Sequence, residues 1–194
     1  MTDFKQSLDL IKILMKFISK STESQQRDVA SHILVLLIDA YSSKCEDDAK
    51  TFLQTVTHSC ADNFPNQKNP LFSLPALSFA LFTLMKTNKL AKNFCNALGF
   101  KIMDQLLEGP CIENAQIAYN VIGTLWVLSY HERSHSYFQD YRLAIIEKVS
   151  KVLDFFSWEK IVRIMLMLFD NLKTNTICQE HLSDIDALSL IIKL

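Results

Sequence analysis

Apolar residues recur along this chain at intervals of three and four. Phe4, Leu8, Ile11, Met15 and Ile18 take one side of a first predicted helix, and Lys5, Asp9, Lys12 and Lys16 take the other. The polar run Ser19 to Gln26 interrupts the pattern. A second helix is expected from Ser24, whose hydroxyl can accept hydrogen bonds from the free amides of the first turn, to about Tyr41. Its middle, Ile33 to Ile38, is apolar all round. A third helix, Glu46 to His58, opens on acidic residues, which the positive end of the helix dipole favours. The stretch Asn63 to Pro70 holds two prolines and three asparagines and reads as a loop.

Helical spacing resumes over Leu74 to Thr87, with shorter helices over Leu90 to Ala97 and Phe100 to Leu107. Gly99 and Gly109 followed by Pro110 punctuate them, where left-handed caps or turns are expected. The most apolar part of the chain lies between Gln116 and Leu172. Two long helices centred on Leu125 to Leu128 and Ile164 to Phe169 flank a smaller amphipathic one over Leu143 to Leu153. Helices apolar on so much of their circumference pack on neighbours from more than one side.

Once the breaks are marked, an internal repeat emerges. Leu81 to Asn88 recurs as Leu168 to Asn175, 87 positions later, and Leu125 to Leu128 lies near the midpoint, which gives a unit of 43 or 44 residues. That period belongs to armadillo and HEAT arrays, whose units of two or three helices close their cores only against the next unit. The expected fold is therefore all-α, an armadillo/HEAT-like right-handed superhelical solenoid of about four repeats. Residues 1–194 are expected to form a single such domain.

Composition narrows the function. Twenty Lys and Arg stand against 21 Asp and Glu, a formal charge of −1, so no excess of either sign draws the chain to nucleic acid or anionic lipid. A hydrophobic content of 49% with only 3 Gly and 4 Pro favours long helices with short connections and apolar surface left for a partner. The longest apolar runs are too short to span a bilayer, and charges interrupt the amino end where a secretory signal would need an unbroken apolar core. Five scattered cysteines, Cys45, Cys60, Cys95, Cys111 and Cys178, form no Cys-x-x-Cys pair and read as reduced thiols of a cytosolic protein.

Candidate chemistry is sparse. His131-Glu132-Arg133-Ser134-His135 matches the H-E-x-x-H pattern of zinc proteases, in which histidines at i and i+4 share a helical face and the glutamate acts on zinc-bound water. A third ligand could be Glu159. The match sits at a helix end among polar and aromatic neighbours, however, so a solvated turn is the expected reading and no metal or other cofactor is assigned. With 3 Gly no phosphate-cradling loop can be built, and no nucleophile motif is present. Asp47-Asp48 and Asp184 with Asp186 do not share helical faces. No catalytic residue is expected. Trp126, within an apolar run, reads as core; Trp158, beside Glu159 and Lys160, reads as partly exposed and suited to an interface. Arg163 either pairs with Glu159 or points into the groove of the array.

At this helix pair the sequence resembles a family, the regulatory H subunit of the vacuolar-type proton ATPase. Gln116 to Tyr130 is similar to its Q-L-Q-Y-Q…W-L-L-[SA]-F segment. Glu159-Lys160-Ile161-Val162-Arg163-Ile164, followed by Phe169 to Leu172, is similar to its E-K-V-x-R-I…F-x-N-[LF] segment. Ala144 to Val149 is compatible with the intervening N-I-I-P-V-L, and the likeness runs in order from about Leu74 to Lys173. The resemblance implies a non-enzymatic stator and regulatory component, lying on the cytosolic face of acidic organelles. Its implied partners are the E and G subunits of the peripheral stalk, other components of the soluble V1 sector and the a subunit of the membrane sector. It also implies that the chain represents the amino-terminal domain, without the carboxy-terminal domain to which the family's silencing of free V1 belongs. Trp158, Lys160, Arg163 and Asn120, on or beside the matched segments, are the candidate partner-binding residues. The competing expectations are a cytosolic armadillo-type adaptor that carries a partner peptide in its groove and, on the histidine motif, a zinc hydrolase.

Overall fold

The computed structural model describes residues 2–41, 44–60, 71–96, 99–131 and 134–172, with side chains omitted at 2–5, 88, 89, 96, 134–140, 142 and 143. The described residues form helices and no strands. They fall into two compact units, Met1–Gly99 and Phe100–Leu194. The expected loop at Asn63 to Pro70 lies outside the described residues, as do Glu132, Cys178 and the Asp184 and Asp186 pair.

The first unit contains α1 (Thr2–Lys20), α2 (Ser24–Ala40), α3 (Glu46–Ser59), α4 (Leu74–Met85) and α5 (Asn88–Asn96). α2 lies between α1 and α4, and α5 packs on α3 and α4. Ile11, Leu34, Val35, Phe52, Leu81, Met85 and Phe94 form its core, all buried. Helix α2 begins where predicted, but Ser24 is not its cap. Glu23 takes that position with extended backbone and makes no side-chain bond to the first-turn amides. Its carboxylate instead accepts from Gln26 Nε2. α4 is capped as the rules require: Ser73 Oγ accepts from the Ala76 amide at 3.3 Å, and Pro75 occupies the first turn, where no donor is needed. His32 stacks on Phe79 across α2 and α4 with centroids 4.7 Å apart and serves as a packing residue.

The second unit contains α6 (Gly99–Glu108, its first residue belonging to the other unit), α7 (Pro110–Glu113), α8 (Ala115–Ser129), α9 (Ser134–Val152) and α10 (Glu159–Leu172). Its core gathers Met103, Leu106, Val121, Ile122, Leu125, Leu128, Ile145, Ile146, Val149, Ile161, Met165 and Leu168. α9 starts nine residues before the expected Leu143, because no glycine or proline between 134 and 152 stops it.

Hydrogen bonds between helices reproduce the sequence period. In the first unit, Arg27 Nε donates to the Leu71 carbonyl at 2.9 Å, 44 residues away, and the Ser73 amide donates to Asp28 Oδ1 at 3.0 Å, 45 residues away. In the second, Lys148 donates to Asp104, 44 residues away, and Asn171 Nδ2 to Ser129 Oγ, 42 residues away. Asp28 and Ser73 stand at the amino ends of α2 and α4, and Ser129 and Asn171 at the carboxyl ends of α8 and α10. Helices one period apart therefore lie side by side and run the same way. This is the all-α, armadillo-like repeat architecture that the 43 or 44 residue unit predicts.

Neither glycine takes the left-handed conformation expected as one alternative, although Gly109 does stand in a turn. Gly99 has no positive φ; a Cβ there would come within 2.5 Å of the Phe94 ring and carbonyl, so it is close approach that demands glycine. Gly109 has φ −129°, and precedes Pro110 at the start of α7.

Candidate partner-binding groove

Between α8 and α10 the second unit has an open groove of about 720 Å³. α8 contributes Gln116, Tyr119 and Trp126, which helical spacing sets along one side; α10 contributes Lys160, Arg163, Ile164 and Met167 in the same rhythm. The two rows are one repeat apart, since Gln116 and Lys160, like Tyr119 and Arg163, are separated by 44 residues. Local chemistry fixes each wall. The Asn114 side chain caps α8, accepting from the Gln116 and Ile117 amides at 2.9 and 3.2 Å. At the far end Ser129 Oγ donates to the Trp126 carbonyl at 2.6 Å and accepts from Asn171 of α10 at 2.8 Å, which joins the helices beyond the groove.

The structure separates the four candidate residues. Trp158 is 63% exposed at the rim, its ring edge-on to Phe156 with centroids 6.2 Å apart. Lys160 is exposed and lines the groove. Arg163 satisfies both sequence alternatives, pairing with Glu159 on the preceding turn while lining the groove. Asn120 is buried at 2% exposure beneath the surface; its amide oxygen accepts from Gln116 Nε2 at 3.1 Å, so it orients a groove residue rather than forming the rim. Trp126 differs from its expected core position: it is half-buried on the groove wall, edge-on to the exposed Tyr130. Its indole Nε1 is shielded from solvent and has no hydrogen-bond partner among the described residues.

Gln116, Tyr119, Ile164 and Met167 were absent from the candidate set. The 44-residue offset between the two matched segments leads from Lys160, Arg163 and Asn120 to Gln116, Tyr119 and Ile164, and Met167 follows Arg163 one helical turn on. The zinc-motif histidines do not share a helix, because α8 ends at Ser129 and α9 begins at Ser134, with His131 in the bend between. The common helical face on which H-E-x-x-H depends is therefore missing. No group of three or more potential metal ligands occurs among the described residues.

The family model of the V-ATPase H subunit matches the chain over residues 1–194. The chain belongs to the V-ATPase H-subunit family. This membership covers the upstream helices as well as the region from Leu74 to Lys173 that carried the resemblance, and it agrees with the parallel helices set one period apart. No curated protein and no solved structure matches the chain. Among the described residues, no helix is long and apolar enough to cross a membrane.

Proposed function

We propose that this member of the V-ATPase H-subunit family is a non-catalytic stator and regulatory component of a vacuolar-type proton ATPase. It binds the E and G subunits of the peripheral stalk, with other V1 components and the a subunit of the membrane sector as further neighbours. In this way it supports the coupling of ATP hydrolysis to proton transport on the cytosolic face of acidic organelles. Residues 1–194 act as one helical-repeat domain in this reading. The observation that carries it is the family match over the whole chain. The α8–α10 groove supports it, since tryptophan, tyrosine and arginine, the residue types enriched at interface hot spots, line it together. Trp158, Lys160 and Arg163 make the contact, and Asn120 acts through Gln116.

The test is capture of the full chain from cells that contain the pump. The E and G stalk subunits are expected to copurify, and Trp158→Ala is expected to weaken their capture while leaving the helical circular dichroism unchanged. Recovery without any component of a rotary ATPase would refute the proposal. The aromatic lining of the groove favours one second reading, an armadillo-type adaptor for a partner peptide. Capture of a single peptide-bearing partner in place of the pump components would establish it.

A further inference from the structure

The chemistry of the groove constrains what it can hold. Its rim carries two cationic side chains, Lys160 and Arg163, against one carboxylate, Glu159, which Arg163 already engages. A basic segment would meet no available carboxylate there, whereas an acidic one would meet an exposed ammonium at Lys160 and the outer face of a guanidinium. Between the rims lie Tyr119, Ile164 and Met167, so the body of the occupant is apolar. The Trp126 indole adds a third requirement. A shielded indole N–H normally finds an acceptor, and this one has none among the described residues. Because the same ring lines the groove, an occupant that turns the ring toward itself can supply the missing acceptor.

We propose that the α8–α10 groove holds a segment of a partner polypeptide in which apolar residues alternate with acidic ones. Its carboxylates meet Lys160 and Arg163, and one of its main-chain carbonyls accepts a hydrogen bond from the Trp126 indole N–H. The inference rests on the reading of this groove as a partner surface and specifies the chemistry of what it takes. It also makes Trp126 a binding residue that the free protein keeps at a cost in stability.

The chain's two tryptophans, Trp126 and Trp158, both line the groove, so intrinsic fluorescence of the full chain reports occupancy directly. The probes are three short synthetic peptides that alternate leucine with glutamate, glutamine or lysine. The glutamate peptide is expected to shift the emission saturably, the glutamine peptide to bind about tenfold more weakly, and the lysine peptide not to bind. Lys160→Glu should abolish the response. Trp126→Phe should weaken binding by about tenfold while the free chain melts no lower than wild type, because the substitution removes the unpartnered donor and keeps an apolar ring. The proposal is overturned if the glutamate peptide fails to bind or the three peptides bind alike. It is equally overturned if Trp126→Phe melts lower with unchanged affinity. Stalk capture keeps the two readings apart. Capture that survives Lys160→Glu sinks this inference and spares the stator role, whereas peptide selectivity without stalk capture by the wild type does the reverse.

Discussion

At the scale of single residues, burial decides roles that residue type leaves open. Cys60 and Cys95 have thiols pushed up to about 11 from an ordinary 9.0, and Cys111 to about 12, all because burial opposes the thiolate. Cys45 is raised by burial and by the nearby Asp48 carboxylate. Burial pulls Lys148 down, but its hydrogen bonds to Asp104 and Glu108 outweigh that and raise it above 10.5. Above pH 9 the unfolded chain releases thiol protons that the folded chain retains, so stability present below that pH is lost as pH rises toward 11 or 12. The Lys148 contribution has the same sign, present below 10.5 and lost as pH rises through its folded value. Thermal melts between pH 8 and pH 10.5 should show a falling midpoint, and a flat profile would contradict this account. Gly99→Ala is expected to destabilise by about 1 to 3 kcal/mol, since the Phe94 carbonyl cannot give way as a side-chain tip could. Urea unfolding of the variant measures it.

At the scale of elements, helix ends were the least legible features and helix faces the most. The three-and-four spacing of apolar positions, with the breaks between them, predicted α1, α2, α3 and α4 to within a few residues, because a buried stripe must repeat every three or four residues whatever it packs on. Caps depend on which backbone amide a side chain can reach. Ser73 and Asn114 reach first-turn amides and act as caps, whereas Ser24 falls inside the first turn of α2 and Glu23, at the cap position, bonds none of them. Asn114→Ala should cost about 1 kcal/mol, as the amides of Gln116 and Ile117 lose their acceptor. The thermal midpoint should fall by a few degrees, and it should stay unchanged if the cap contributes nothing. The histidine motif shows why a turn was the expected reading there. Five letters satisfied a pattern whose chemistry needs one continuous helix, and the boundary between α8 and α9 divides them.

At the scale of the molecule, the repeat is the organising fact. Its 43 or 44 residue period, read first from recurring letters, returns as hydrogen bonds between residues 42, 44 and 45 apart in the chain. Each such bond ties a helix to its counterpart in the next repeat or to the segment leading into it, so these repeats owe part of their stability to a neighbour. If residues 1–194 act as the one domain proposed, far-ultraviolet circular dichroism and tryptophan fluorescence should lose signal at a single urea midpoint. Both tryptophans lie in the second unit, so separate midpoints would mean that the first unit unfolds independently.

The sequence by itself determined the helical class, the repeat period and the family, since periodic burial and a recurring unit are local properties written in the order of residues. It also marked Trp158, Lys160 and Arg163, which the structure sets along one groove, as candidate partner contacts. Only the tertiary structure decided that Asn120 is buried behind Gln116, that Trp126 lines a groove instead of filling the core, and that Gly99 answers to Phe94. Those facts depend on which helix lies opposite which, and on how closely. Such distances between residues far apart in the chain follow from packing, and no local pattern encodes them.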